Sequence, residues 1–298
     1  MVSGFSFLIP TYNKVCVDLV QELLRQISKL SISAEVVVVD DASTDVSTIE
    51  QNNVINTFPN SKFIRNEVNS RQAYTRNKLA QIAQGEYLIF LDSDVFPSSA
   101  TFVEQYVACA NYADVVVGGL RYRVPNQKVC PLRLMFGLKS EVRTVAERNI
   151  DPYAKFAASN ALINAKVFKR IQFDDKIKKY GYEDVLFGQE LQHLGFSVRH
   201  IDNPVFHDDD DTSEQFLNKT RTSLQTLHSI ATQIGDKSHI NNVYQQLKKW
   251  HLVWGMQLFF RLTQTCFEHN LLSQHPNMLI FNLYKLGYYC CLSHEDGK

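Results

Sequence analysis

The sequence predicts an α/β protein with a mostly parallel sheet flanked by helices and a C-terminal helical extension. Short apolar runs alternate with segments of helical periodicity through the first half of the chain. This alternation is typical of parallel strands joined by right-handed helical crossovers. After residue 207 the pattern changes to long helical stretches. We therefore expect a first domain at 1–210 and a helical extension at 211–298.

The first elements follow from local patterns. A strand is expected at 5–9, where an apolar run ends at a proline. A helix at 15–30 follows, because Leu19, Leu23 and Ile27 recur at helical spacing. Four successive valines at 36–39 predict a strand that is buried on both faces, as in the centre of a parallel sheet.

The pattern continues with a short strand at 62–65 and a helix at 71–84, which Gly85 can end. The apolar run at 87–91 predicts another buried strand. The later segments are expected as follows: strands or strand–helix junctions at 115–124 and 161–168, an irregular stretch over a cleft at 126–155, and helices at 213–234, 241–269 and 276–292.

Composition excludes several classes of protein. The 298 residues carry 31 Lys+Arg and 31 Asp+Glu, and a formal net charge of zero argues against a general nucleic-acid binder. Six scattered cysteines without a CxxC motif are typical of a reducing compartment. The N-terminus lacks the pattern of a signal peptide, and no apolar run is long enough to predict a membrane-spanning helix. We expect a cytoplasmic protein, with the inner face of the cell membrane as an alternative peripheral location.

Polar residues follow three of the predicted strands. They are Pro10, Thr11 and Tyr12 after the first, Asp40 and Asp41 after the second, and Asp92, Ser93 and Asp94 after the 87–91 strand. Ligands of open α/β sheets bind at the carboxyl ends of the strands, so these segments predict a binding site. Neither GxGxxG nor GxxxxGK[ST] occurs, and the usual phosphate cradles of dinucleotide and P-loop proteins are therefore absent.

The Asp92-x-Asp94 pattern predicts a divalent cation site. On an extended backbone, residues two apart point to the same side, so both carboxylates could face one ion. Hard oxygen ligands suit Mg²⁺ or Mn²⁺ held together with a diphosphate. A solvated acidic turn is the alternative interpretation.

Other polar residues each have a structural and a functional interpretation. Asp41 either begins a turn or accepts a hydrogen bond from a nucleotide base. Glu183 and Asp184 either favour the start of a helix or supply a general base. His207 is either structural or completes the metal site with a neutral imidazole. Arg76 is either a surface ion-pair partner or, like Arg71, a residue that neutralises a diphosphate.

Together these segments resemble the inverting GT-A glycosyltransferases of family 2. The resemblance rests on FSFLIPTYNK, VVVVDDASTD, NSRQAYTRNKLAQIAQGEYLIFLDSD and GYEDVLFGQELQHLGF, followed by His207. It implies a UDP-sugar donor and Mn²⁺ or Mg²⁺. One departure is Arg71, which stands where many relatives have glycine in N-x-G-x-x-x-A-R-N.

The resemblance also implies roles for individual residues. Pro10, Thr11, Tyr12 and Asp41 match nucleotide-binding positions, and Asp92 matches the acid near the ribose and donor sugar. Asp94 and His207 match metal ligands. Glu183 and Asp184 resemble the ED pair of galactosyl- and N-acetylgalactosaminyl-transferases, in which the Asp is the base.

The function implied is transfer of a sugar to a glycan or lipid-linked glycan acceptor in bacterial surface polysaccharide synthesis. A nucleotidyltransferase that makes sugar nucleotides and an inactive domain that binds sugar nucleotide or glycan are the alternatives. The apolar helices at the C-terminal end have three interpretations: a helical subdomain packed on the first domain, a surface for peripheral membrane contact, or an interface with another subunit (a homo-oligomer) or with another partner.

Overall fold

The computed structural model describes residues 4–124, 130–177, 179–208 and 210–292. The chain divides into two compact units. The first comprises Met1–Arg123, Val142–Lys178 and Glu183–Asp209, and the second comprises Val124–Glu141, Lys179–Tyr182 and Asp210–Lys298. The domain boundary at residue 210 stays a prediction.

The first unit is built on two sheets. Its strands within the described residues are β1 (Phe5–Thr11), β2 (Ala34–Asp40), β3 (Ser61–Arg65), β4 (Tyr87–Leu91), β5 (Val95–Pro97), β6 (Val115–Val117), β7 (Leu120–Arg121), β8 (Asn160–Asn164), β9 (Val198–His200) and β10 (Val205–His207). The large sheet has the order β3-β2-β1-β4-β8-β6-β9. Strand β8 is antiparallel to β4 and β6, whereas the other pairs are parallel. The prediction of a mostly parallel sheet is confirmed.

Both faces of the large sheet are buried. In β1 the side chains of Phe7 and Ile9 enter one apolar cluster and Leu8 enters the other. Strand β2 alternates in the same way, with Val38 on the first side and Val37 on the second. Because successive side chains of a strand point to opposite faces, only a run of apolar residues can supply both clusters. The four valines predicted this burial correctly.

The small sheet has the order β5-β10-β7 and carries the last strand of the first unit. Strand β10 is antiparallel to β5, and the register places His207 opposite Val95. Val95 directly follows Asp94 in the chain. The strand pairing therefore brings residue 207 beside the acidic turn, although the two segments are far apart in sequence.

Helices connect the strands of the first unit. They are α1 (Val17–Ile27), α2 (Val46–Asn53) with a 3₁₀ turn at Val54–Thr57, α3 (Arg71–Ile82), α4 (Phe102–Cys109), α6 (Val145–Ile150), α7 (Ala165–Phe168) and α8 (Glu183–His193). Helix α5 (Leu132–Phe136) belongs to the second unit. The prediction that 126–155 is irregular is wrong for the helical parts, and residues 125–129 lie outside the described ranges. Thr144 begins α6 with a capping box, a local signal that the sequence contains.

The second unit is helical and contains an apolar cluster that includes Leu217, Phe260 and Tyr284. Its remaining elements are α9 (Ser213–Ser229), α10 (Ala231–Ile234), a 3₁₀ turn at Gly235–Lys237, α11 (His239–Lys249), α12 (Val253–Leu271) and α13 (Met278–Leu292), together with a π-helical turn at Gly137–Glu141. Among the helices described, none is both long and apolar enough to cross a bilayer.

The prediction of one helix at 241–269 is wrong. The chain leaves the helix at His251, which has a left-handed φ of 55°, and Leu252 donates its N–H to Leu247 O at 2.8 Å. This six-to-one hydrogen bond is the Schellman arrangement that ends helices. Glycine usually occupies the left-handed position, so a histidine there gives the sequence no clear stop signal.

Candidate active site

The acidic segments meet at one edge of the large sheet. Strands β1, β2 and β4 are parallel, and the register pairs Thr11 with Asp40 at their carboxyl ends. Asp41 donates its N–H to Thr11 O at 2.8 Å. The side-chain oxygen of Asn13 accepts from the N–H groups of Thr44 and Asp45, at 2.9 and 3.0 Å. The loops after β1 and β2 are therefore held together.

The adjacent carboxylates of Asp40 and Asp41 have different partners. Asp40 is buried and accepts from the N–H and hydroxyl of Ser43 and from Arg65 Nε, the last at 3.0 Å. This carboxylate therefore stabilises the turn after β2 and the neighbouring strand. Asp41 has a separate set of donors, so each of the two adjacent carboxylates is stabilised by its own partners.

Asp41 is bound to the segment that begins α3. One carboxylate oxygen accepts from Asn66 Nδ2 and from the Ser70 N–H, both at 2.9 Å, and the other accepts from the Arg71 N–H at 2.8 Å. Arg71 has a φ of 77°, in the left-handed region that favours glycine. The backbone at position 71, where many relatives have glycine, is therefore strained in this chain. The N–H of this same residue is one of the groups that donate to Asp41.

Helix α3 directs two side chains at Asp92. Gln72 Nε2 donates to Asp92 Oδ1 at 3.2 Å, and Arg76 Nη2 donates to the same oxygen at 2.7 Å. Residues four apart lie on one face of a helix, which explains the shared acceptor. Arg76 also donates to Asp184 Oδ1 at 3.3 Å, and its guanidinium lies 5.3 Å from the centre of the Phe173 ring.

Arg76 is a buried cation between two carboxylates. Its side chain is 3% exposed, whereas Asp92 is 20% and Asp184 31% exposed. Burial alone would lower the pKa of Arg76, but the negative charges of Asp92 and Asp184 outweigh burial and raise it. The guanidinium remains charged and joins the end of β4 to the start of α8.

Asp184 has the ionisation expected of a general base. Burial is the largest cause of a pKa raised to about 6. The Arg76 cation and the Ala158 N–H, which donates to Asp184 Oδ2 at 3.0 Å, act in the opposite direction. The negative charges of Asp92 and Glu183 add to the increase. A carboxylate with this pKa is mostly ionised at neutral pH and still basic enough to accept a proton.

Asp94 and His207 form the second polar group at this edge. His207 Nε2 lies 3.8 Å from Asp94 Oδ1, and His207 Nδ1 is buried with no hydrogen-bond partner among the described residues. Two ligands of one cation, each about 2.1 Å from it, lie roughly 3–4 Å apart. The observed separation is compatible with a shared divalent ion. No set of three or more His, Cys, Asp or Glu side chains able to hold a metal occurs in the described part of the chain.

The acidic motif itself has a different backbone from the one expected. Residues 92–94 form a turn, in which Val95 donates its N–H to Asp92 O, and not an extended strand. The two carboxylates therefore point to different partners, Asp92 to Arg76 and Asp94 toward His207. The half-buried Ser93 lies between them.

The remaining predicted residues lie nearby in the chain. Pro10 and Thr11 are buried at the end of β1, and the following Tyr12 is 48% exposed. Glu183 is buried in the first turn of α8. Sequence reasoning missed Gln72, although its spacing of four from Arg76 on a predicted helix was an available signal.

The Ala158 N–H was also missed. A backbone donor has no sequence signature, so the contact with Asp184 becomes visible only in the folded chain.

A mostly parallel sheet with acids at its carboxyl edge, joined to a short mixed sheet, defines the GT-A class of nucleotide-diphospho-sugar transferase folds. The model of the glycosyl transferase family 2 matches residues 6–171, and the chain belongs to this family. The resemblance stated from the motifs is confirmed at the level of the family.

Individual relatives are similar over part of their length. An uncharacterized glycosyltransferase of Haemophilus influenzae is 29% identical over 151 residues, which are 47% of this chain and 60% of the relative. The poly(ribitol-phosphate) beta-glucosyltransferase of Bacillus spizizenii is 33% identical over 121 residues, 39% of this chain and 19% of the relative. The chain thus spans less than two thirds of these curated relatives.

A solved structure shows the same fold. The mannosyltransferase PcManGT from Pyrobaculum calidifontis, in complex with GDP-Man and Mn²⁺, superposes with a TM-score of 0.57 at 16% identity. The match covers 99% of this chain and 86% of that one. The prediction of a GT-A fold is confirmed.

Proposed function

We propose that the protein is a metal-dependent inverting glycosyltransferase. It moves a sugar, galactose or an N-acetylhexosamine, from a UDP-sugar to a glycan or lipid-linked glycan acceptor in bacterial surface polysaccharide synthesis. The observation that carries the proposal is the bridge that Arg76 makes between Asp92 and Asp184. It joins a donor-side acid to a carboxylate with the pKa of a general base.

Asp184 is the base of the proposed reaction. Its carboxylate accepts the proton of an acceptor hydroxyl, and the hydroxyl oxygen forms a bond to the anomeric carbon of the donor. The bond from that carbon to the diphosphate breaks, and the electron pair leaves with the diphosphate. Because attack comes from the opposite face, the anomeric configuration inverts. The 31% exposure of Asp184 supports access for an acceptor.

Arg76 and the Ala158 N–H hold this base in position. Each donates to a different oxygen of Asp184, so the carboxylate plane is held at two points. Arg76 also holds Asp92, the acid that matches a position near the ribose and donor sugar. One rigid guanidinium therefore fixes the distance between the base, Asp184, and the proposed donor site at Asp92.

Asp94 and His207 are the residues that would hold the cation. The separation of 3.8 Å between His207 Nε2 and Asp94 Oδ1 supports this assignment. Mn²⁺ or Mg²⁺, when bound, supplies positive charge to the departing diphosphate. A diphosphate would add the oxygen ligands that two side chains leave unfilled.

Donor and acceptor are assigned by chemistry and by relatives. Asp41 has three protein donors on a carboxylate with about four acceptor positions, which leaves one for a base N–H. The exposed ring of Tyr12 offers an aromatic face beside it in the chain. The relative that glucosylates poly(ribitol phosphate) supports an acceptor from a surface polymer.

The test is nucleotide release from a panel of UDP- and GDP-sugars with Mn²⁺, followed by determination of the anomeric configuration of the product. We expect release with a UDP-sugar, inversion, and loss of at least about 10³-fold in kcat for Asp184→Asn. Asp202→Asn is the matched control, because this carboxylate of the same unit is exposed, forms an ion pair with the exposed Arg121 and is not one of the candidate site residues. Retention of configuration, or release by Asp184→Asn at the normal rate, would contradict the proposal.

A further inference from the structure

The second unit exposes an apolar corner where α11 meets α12. We define the corner by Trp250, Leu252, Trp254, Leu258 and Leu262, whose exposed fractions are 62%, 48%, 67%, 51% and 75%. Residues 254, 258 and 262 are spaced by four and form one ridge along α12. Bulky apolar side chains grouped in this way mark an interaction surface more often than isolated ones do.

The core of the unit does not need this ridge. The opposite face of α12 already packs against α13: the ring of Phe260 lies 5.3 Å from that of Tyr284, and Gln257 Nε2 donates to Cys290 O at 2.8 Å. A Cβ added to Gly287 would lie 2.5 Å from Phe260, so the two helices are in close contact. The apolar ridge on the other side takes no part in these contacts between α12 and α13 and remains exposed.

The turn between the helices keeps the corner exposed. His251 reverses the chain with its left-handed φ, and residues 248–252 are all exposed. Trp250 at the end of α11 and Trp254 in the first turn of α12 are thereby four positions apart.

The stretch of sequence that forms the corner carries charge of a single sign. Between Lys237 and Phe267 the sequence contains Lys237, Lys248, Lys249 and Arg261 but no Asp or Glu. Lys248, Lys249 and Arg261 are exposed, and they flank the apolar residues in the chain. The protein as a whole has zero formal charge, so this segment is a local excess of positive charge.

We propose that the apolar corner docks on an anionic lipid surface. Tryptophan side chains favour the boundary between headgroups and acyl chains, and leucine side chains lower their free energy by leaving water for the acyl region. Lysine and arginine can keep their charged ends among anionic headgroups while their methylene groups cover apolar surface. The apolar ridge, the two tryptophans and the positive charge of the flanking residues are together the features that an anionic lipid surface would bind.

A second copy of the chain matches less well. A two-fold symmetric interface places the same patch against itself, so the positive charges of Lys248, Lys249 and Arg261 in one copy would face a patch of the same charge in the other. No acid in the segment could neutralise them. Repulsion between like charges therefore disfavours self-association through this corner.

Intrinsic fluorescence tests the proposal directly. The chain has two tryptophans, and both belong to the corner. We expect a blue shift of their emission and co-sedimentation of the full chain with vesicles of phosphatidylglycerol and phosphatidylcholine, weakened by added salt. No shift and no co-sedimentation would overturn the proposal, as would equal binding to phosphatidylcholine alone. A concentration-dependent shift without vesicles, together with dimers in sedimentation, would overturn it in favour of a second copy.

Variants separate the apolar and charged contributions. The double change Leu258→Gln and Leu262→Gln should weaken vesicle binding about tenfold or more. Lys248→Glu with Lys249→Glu should weaken it by a similar factor through the headgroups. The matched control is Ile150→Gln, an apolar residue 83% exposed in the first unit, which should bind as the wild type does.

Nucleotide release in vesicle-free solution should be unchanged in all these variants, because none belongs to the candidate active site. Vesicle binding that is unaffected by either double variant would also overturn the proposal.

Discussion

Replacing Arg76 by glutamine removes the cation between Asp92 and Asp184 while keeping a polar side chain of similar length. A neighbouring arginine lowers the pKa of a carboxyl by roughly 1–3 pH units. Asp184 is 31% exposed, so solvent screens part of this effect and the lower end of the range applies. The pKa of Asp184 is about 6 in the wild type. The acid limb of the pH–rate profile, where the rate falls as the pH falls, should therefore lie about one pH unit higher in the variant.

The sign follows from the role of a base. The ionised form of Asp184 is the active one, so the rate falls as the pH falls through its pKa. Loss of the cation raises that pKa, and the rate should therefore begin to fall at a higher pH in Arg76→Gln than in the wild type. At neutral pH a larger fraction of Asp184 is protonated, which adds to any loss from misplaced carboxylates.

The assay is nucleotide release at saturating donor, with kcat/KM for the acceptor measured from pH 5 to about 8.5. Arg76→Lys keeps the charge and should shift the limb less, although a lysine cannot bridge both acids with a planar fork. Arg25→Gln is the surface control, since Arg25 forms an exposed ion pair with Glu22 on α1. An acid limb at the wild-type pH in a folded Arg76→Gln protein would refute the reasoning.

Three further predictions concern the metal site, the strained backbone and the core. Asp94→Asn should raise the Mn²⁺ concentration for half-maximal nucleotide release at least about tenfold, and an unchanged titration would contradict the assignment of this ligand. Arg71→Gly, at a φ of 77°, should either leave the free energy of unfolding within about 1 kcal/mol of the wild type or raise it. Arg71→Val should lower the free energy of unfolding by more than about 1 kcal/mol. Phe90→Ala, which removes a buried ring that lies 5.4 Å from Phe168, should cost about 3–5 kcal/mol in urea unfolding. The exposed Tyr74→Ala control should stay within about 0.5 kcal/mol of the wild type.

Local patterns predicted the elements that have strong periodicity. The valines of β2 and the apolar run of β4 are buried on both faces, as expected. The break at His251 was not predictable, because a histidine in the left-handed position carries no stop signal of the kind glycine gives. The Asp92–Asp94 motif was found for its chemistry, but its turn conformation differs from the extended backbone assumed.

The sequence by itself determined the class of fold, the family and the edge of the sheet where the acids lie, because apolar runs and the residues that follow them are local features. Only the tertiary structure decided which acid meets which partner. Arg76 reaches Asp184 across 108 positions of the chain, and the Ala158 N–H donates to the other oxygen of the same carboxylate. Such contacts depend on strand register and helix orientation, which are set by the packing of the whole unit and leave no mark in local sequence.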